Sequence, residues 1–266
     1  MSASHPSLDR SRLLLILAVA VLVLVGVGAA GFAYFFTGSA PAEVSLTSEA
    51  SQAAAAATAA PVSLAAPASS TSTGTTPSGV AGSLDGTWNL DTSIGSFSDF
   101  SDSFVGYRVN ETLAQVGSAT AVGRTPKVSG SLTFGVNTIS AATITADLTA
   151  LQSDKPQRDD QLRRQGLETD QFPTATFQLT APVQLPSTPA DGQTFNVTAT
   201  GKLTLHGVTN RVSIPLQAKL SGNTVTVVGS LKIQFADYNI SPPQSMMVLS
   251  VDSSGVMELQ LHFTKV

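Results

Sequence analysis

From residue 128 onward, apolar and polar positions alternate along most of the chain. Val128, Gly130, Leu132 and Phe134 share one face, opposite Ser129, Ser131 and Thr133; Ala142, Ile144, Ala146 and Leu148 repeat the pattern opposite Thr143, Thr145 and Asp147. It returns in Ala175, Phe177 and Leu179, then in Phe195, Val197, Ala199, Gly201, Leu203 and Leu205, and again in Val212, Ile214, Leu216, Ala218 and Leu220. Val225, Val227, Gly229, Leu231, Ile233 and Phe235 continue it, and Met257, Leu259, Leu261 and Phe263 end it against Glu258, Gln260 and His262. Period two is the period of a β-strand, so each run predicts a strand with one buried face. Trp88 with Leu90, and residues 105–113, predict two earlier strands. Residues 206–210 and 221–223 read as turns, where Gly207 and Gly222 can take positive φ. Pro215 lacks the N–H that a ladder needs, which predicts a bulge or a nitrogen turned away from any neighbour.

Residues 151–179 contain the one long interruption. Asp154, Lys155, Arg158, Asp159, Asp160, Arg163, Arg164, Glu168 and Asp170 gather here, although only 12% of the chain is charged. Pro156 suits a first helical turn, and Gly166 suits the left-handed residue that ends a helix. Asp159 with Arg163, and Asp160 with Arg164, stand four apart on one surface. A helix over 156–166 with a solvated, weakly paired face follows. Eight or more short strands with one helical insert predict an all-β, antiparallel barrel, which also removes the free edges of an open sheet.

The N-terminal third follows other rules. Leu13 to Phe36 are 24 consecutive uncharged positions, and at about 1.5 Å per helical residue such a run exceeds a hydrocarbon layer of about 30 Å. Arg10 and Arg12 precede it and no further Lys or Arg follows until Arg108, which predicts a cytoplasmic N-terminus and an extracytoplasmic remainder. Cleavage near Ser39, Ala40, Pro41 and Ala42, releasing a secreted protein, is the alternative, although a signal peptide's apolar region is usually shorter, roughly 7–15 residues. Residues 37–83 are mostly Ala, Ser, Thr, Pro and Gly and predict a disordered linker. The expected organisation is therefore 1–12 cytoplasmic, 13–36 membrane-spanning, 37–83 linker and 84–266 barrel.

Composition narrows the chemistry. A net charge of −4 and 6% aromatic residues speak against nucleic acid as a partner, and the absence of cysteine excludes disulfides, thiolate zinc sites and cysteine nucleophiles. His206 and His262, the histidines of the barrel region, lack metal-ligand spacing, and Asp159 and Asp160 are adjacent on a helix and point apart. No catalytic residue, metal site or cofactor is expected.

Arg158, Asp159 and Leu162, then Phe172, Pro173 and Phe177, then Gly201, Leu203, Thr204, Gly207, Val208 and Thr209 resemble the RD-x-x-L, F-P-x-x-x-F and G-x-L-T-x-x-G-V-T signatures of the YceI-like family. The resemblance runs from about Leu84 to Val266 and points to a membrane-anchored member of the actinobacterial type. It implies a lipocalin-like barrel whose interior holds an isoprenoid or other long amphiphile. Where most of the family carries a histidine-bearing pattern, this chain has Gly106, Tyr107, Arg108, Val109, Asn110 and Glu111, so no head-group role transfers through that histidine.

If the sheet closes with its apolar side inward, Phe134, Phe177, Val197, Leu203, Phe235 and Leu259 are the expected ligand-binding walls. Gly130, Ala142, Ala146, Ala199, Gly201, Ala218 and Gly229 on the same faces either leave room inside or merely permit the curvature of the barrel, and the resemblance favours room. The expected function is a membrane-tethered, non-catalytic carrier or sequestering protein for a polyprenyl or fatty-acid-like lipid. The alternative is a ligandless envelope module that binds another protein through its outer surface.

Overall fold

The computed structural model describes residues 40–46, 84–114, 116–243 and 245–266. The expected membrane span and most of the linker lie outside the described residues. The strands are β1 Gly86–Leu90, β2 Phe104–Leu113, β3 Gly117–Thr125, β4 Val128–Gly135, β5 Thr138–Asp147 and β6 Gln152–Ser153. After helix α1, Pro156–Gln161, come β7 Thr174–Leu179, β8 Val183–Gln184, β9 Thr194–Leu205, β10 Val208–Ser221, β11 Thr224–Gln234, β12 Val248–Val251 and β13 Ser254–Lys265.

Eight of them close a barrel in the order β1-β4-β5-β7-β9-β10-β11-β13, with β1 also pairing β13 to complete the ring. All pairings are antiparallel, and tight hairpins join β4 to β5, β9 to β10 and β10 to β11. β13 forks. Its C-terminal part pairs β1 at Phe263, Thr264 and Lys265, and its earlier part, Val256 to Gln260, pairs β2, which carries β3 and β6 beyond it. β3 escaped the sequence reading because its residues, GSATAVGRT, are too small to show an apolar alternation; its partner β2 dictates its register.

Three expected boundaries move. The strand assigned through Leu148 stops at Asp147, whose carboxylate accepts from the Thr149 N–H at 2.9 Å and the Thr149 hydroxyl at 2.6 Å and turns the chain into a 3-10 turn. The run through Phe235 stops at Gln234, because Phe235–Tyr238 wind into a 3-10 turn ended by Asn239 at φ 54°. The expected helix is α1 followed by a wider π turn, Leu162–Gly166, and the left-handed residue beyond it is Glu168 (φ 46°) rather than Gly166. The π turn changes the angular spacing, so the expected four-apart pairs do not form: Asp160 meets Arg163 at 3.1 Å, and Asp159 accepts from the Ser153 N–H at 3.0 Å.

Pro215 sits in register with Thr198 of β9, but the ladder between β10 and β11 begins only at Leu216. The two strands part before that point. A second apolar cluster, built on Leu203, Ile233 and Tyr238, packs there, and side chains of β10 and its turn hold the 3-10 turn in place: Asn210 donates to the Asp237 carbonyl at 2.6 Å, and His206 Nδ1 lies 3.0 Å from the Tyr238 carbonyl.

Glu258, Gln260 and His262 alternate outward as their polarity predicts, yet all three are buried. Residues 91–103 fold back over the fork of β13. The Gln260 amide donates to the Phe100 and Asp102 carbonyls, each at 3.0 Å, while the His262 N–H donates to the Ser103 hydroxyl at 2.9 Å. Beneath them, Glu258 (1% exposed) binds Arg108 at 2.8 Å and Arg124 at 3.3 Å. Glu258, Gly106 and Arg124 lie in one row across β13, β2 and β3, and a Cβ on Gly106 would stand 2.7 Å from the Arg124 side chain; the glycine lets that arginine cross β2. The guanidinium is then sandwiched between Phe100 and Phe104, 4.4 Å from each ring centre. Nearby Asp102 is 5% exposed, and burial pushes its carboxyl up to about 6.

Residues 41–46 complete this outer layer. Arg108 donates to the Pro41 carbonyl at 2.7 Å and Arg124 to the Ala42 carbonyl at 3.0 Å, so this stretch of the expected linker packs on the barrel through its backbone. A chain starting at Leu84 is therefore expected to fold but to lose about 1–3 kcal/mol against one starting at Pro41, because two charged donors lose their acceptors. Urea unfolding of the two chains checks this; equal midpoints would mean that the contact contributes nothing.

Candidate functional site

The inward faces of nine strands converge on an apolar cavity of about 110 Å³. Its 24 lining residues are all apolar. Opposite walls come from segments far apart in sequence: Leu132 and Phe134 from β4, Ile144 and Ala146 from β5, Val197 and Ala199 from β9, and Leu259, Leu261 and Phe263 from β13. Each lines the cavity because alternation points it inward and closure points all inward faces at one another.

Of the expected walls, Phe134, Phe177, Val197, Leu203 and Leu259 border the cavity. Phe235 does not, because the 3-10 turn rotates it out of the strand pattern, and its ring lies beside Gly255 instead. Leu203 also belongs to the second cluster and is almost fully enclosed. The alanines 142, 146, 199 and 218 line the cavity, whereas the space beside Gly130, Gly201 and Gly229 is taken by Ile144, Phe177 and Leu216. Val105, Ile139 and Val183 also line it and were not among the expected walls. Val105 belongs to an expected strand and could have been found; Val183 sits on the two-residue strand β8, too short for any periodicity to reveal.

Each end of the interior has its own cover. At one, Trp88 packs edge-on against Phe134 with ring centres 5.5 Å apart and donates its indole N–H to the Leu84 carbonyl at 2.9 Å. Towards the other, Tyr107, the register partner of Met257, follows Val105 on the inward side of β2, and Glu111 lies further along the same side. Arg158 of α1 reaches Glu111 at 2.6 Å and also holds Asp154, tying the helix to the wall. Arg158 thus fastens this end, while Asp160 and Arg163 pair on the solvated face that the sequence predicts.

The two histidines of the barrel are occupied structurally. His206 is clasped between the Tyr238 carbonyl and the Glu168 carboxylate, at 3.0 and 3.1 Å, with Phe172 edge-on against its ring. His262 contacts the Thr226 hydroxyl and the Ser101 carbonyl, each at 3.0 Å, and burial lowers its pKa.

Residues 88–263 match the family described as YceI-like domain. A UPF0312 protein of Vibrio parahaemolyticus is 26% identical over 163 residues, which cover 58% of this chain and 78% of that protein. A UPF0312 protein of Vibrio campbellii matches to the same extent. Among solved structures, a polyisoprenoid binding domain from Saccharophagus degradans, implicated in plant cell wall breakdown, superposes with a TM-score of 0.53 at 19% identity, covering 67% of this chain and 98% of that one. That likeness is one of fold.

Proposed function

The chain belongs to the YceI-like family of binding domains, and on that footing we propose that its barrel takes up the apolar part of a long amphiphile, a polyprenyl or fatty-acid-like lipid, and carries or sequesters it without chemistry. The observation that supports this reading is the cavity: an interior space bounded by 24 apolar residues. Apolar cavities of this kind stay dry and accept hydrocarbon, and each methylene transferred from water contributes about 0.8 kcal/mol. The space is of the order of one that holds a benzene ring, ~150 Å³. A longer chain therefore enters as lining side chains change rotamer, and Met257, unbranched and adaptable, lies at the end where α1 is fastened. The polyisoprenoid-binding Saccharophagus degradans domain has the same fold and favours the same ligand class.

The uncharged run 13–36 would hold this barrel at a membrane, with the N-terminus cytoplasmic and the barrel on the far side. Lipid would then be exchanged close to its source. Native mass spectrometry of the full chain, followed by organic extraction, tests the carrier reading: a co-purifying apolar amphiphile is expected. A ligand-free protein whose Trp88 fluorescence is unmoved by added prenyl or fatty-acid lipids would overturn it in favour of a module that acts through its outer surface.

A further inference from the structure

Large apolar side chains stand in water at one end of the barrel. A tight turn, Ser245–Val248, leads into β12; the Val248 N–H donates to the Ser245 carbonyl at 3.2 Å, which puts Met246 and Met247 at the two corner positions. Such corners usually carry Gly, Pro, Asn, Asp or Ser, residues that suit solvent and a sharp bend. Here Met246 is 97% exposed, and Met247 and Leu249 are exposed beside it. The turn is firmly held. The Ala114 N–H at the end of β2 donates to the Met247 carbonyl at 2.9 Å, and Val248 pairs with Leu113. A paired backbone thus holds both methionines outward.

The turn belongs to the end that α1 closes. β12 lies beside β2 at Glu111, the carboxylate that Arg158 grips, and Pro243 stands beside Gly166 of the π turn, where a Cβ would lie 3.3 Å from its ring. Val136, exposed at the tip of the hairpin between β4 and β5, lies at the opposite end, because β5 runs from there to Asp147 on the α1 side. A single exposed apolar residue such as Val136 calls for no partner, whereas Met246, Met247 and Leu249 fall within four positions and form a patch.

The sequence restricts what covers that patch. Residues 238–251 carry no charge, so the turn offers a charged partner nothing to pair with, while hydrocarbon accepts it. The π turn that Pro243 touches carries Arg163, paired with Asp160, and Arg164, which is exposed and has no ion pair among the described residues. An apolar tip with cations set behind it suits the boundary between acyl chains and phosphates. Methionine, unbranched and adaptable, fits an irregular hydrocarbon surface.

Resting on the carrier reading, we propose that Met246, Met247 and Leu249 form a membrane-docking tip, which enters the head-group boundary of a lipid bilayer and presents the α1 end of the barrel to it. Lipid then passes between bilayer and cavity without crossing water. Pro243 and β12 join the tip to the cover of that end.

The test uses the full chain reconstituted in phosphatidylcholine vesicles, with or without bromine on the acyl chains, a quencher that acts on an indole at close range. The parent protein supplies the Trp88 background. Met246→Trp should emit at shorter wavelength than an indole in water and lose most of its added emission to the brominated lipid. Val136→Trp, at the other end, should keep its emission. Both positions are exposed, so neither replacement disturbs the core. Adding Met247→Ser and Leu249→Ser to Met246→Trp should restore the emission, because two large apolar side chains are worth roughly tenfold or more in partition. An indole at 246 that emits as in water, or is quenched no more than one at 136, overturns the docking. A shifted indole that bromine does not reach, with a dimer in native mass spectra, overturns it in favour of a second copy covering the tip. Organic extraction of the same preparations keeps the carrier reading apart. A bound amphiphile with an unquenched indole removes the docking and leaves the carrier; quenching with no amphiphile bound leaves the docking contact and removes the carrier.

Discussion

Replacing Glu258 with glutamine is expected to destabilise the barrel by about 3–5 kcal/mol, the range for removing one partner from a buried ion cluster. Glu258 is the shared carboxylate of two arginines, at 2.8 Å from Arg108 and 3.3 Å from Arg124, and it is almost inaccessible to water. Without it, Arg124 stays buried between Phe100 and Phe104 with the Ala42 carbonyl as its remaining hydrogen-bond acceptor among the described residues. Burial already depresses the Arg124 pKa, and the Glu258 charge opposes that shift. The neutral amide accepts one hydrogen bond but offers no charge. For a domain of this size the loss corresponds to a fall in melting temperature of roughly 10 °C. The triple replacement Glu258→Leu, Arg124→Met and Arg108→Met should recover much of it, because an apolar cluster needs no compensation. A Glu258→Gln protein that melts within a degree or two of the parent would mean that water reaches these groups.

The second large effect concerns occupancy. Val197→Trp should cut co-purified lipid at least tenfold while changing stability little, because Val197 borders the cavity and an indole there fills space that is open in the parent. Leu203→Trp is the contrast. Leu203 is enclosed by the second cluster, so its enlargement should give the overpacking penalty of about 1–3 kcal/mol. Native mass spectrometry and urea unfolding, run on both variants, separate the two effects. Equal destabilisation with no change in lipid would show that the interior at Val197 is already solid.

Both expectations show what alternation can and cannot convey. Val197 and Leu203 are equivalent in the period-two pattern, three steps apart on the same face of β9, and both border the cavity, yet Leu203 is also enclosed by the second cluster. The difference arises where β10 and β11 part beside Pro215, and that depends on which strands pair over which residues. Glu258 gave the opposite lesson. Its outward direction was legible from its neighbours Met257 and Leu259; its burial was not, because it comes from residues 91–103 and 41–46 folding over it from remote positions.

By itself the sequence determined the all-β barrel and the inward set, because side-chain direction in a strand is local: it follows from the backbone of the residue and its neighbours. It likewise marked the charged insert and most of the eventual cavity wall, including Phe134, Phe177, Val197 and Leu259. Only the tertiary structure decided where strands stop, as at Asp147 and Gln234, and which inward residues face a void. It also decided that the outer face of β13 is covered. Burial and hydrogen-bond satisfaction are properties of surfaces brought together from across the chain, and no local period encodes which surfaces will meet.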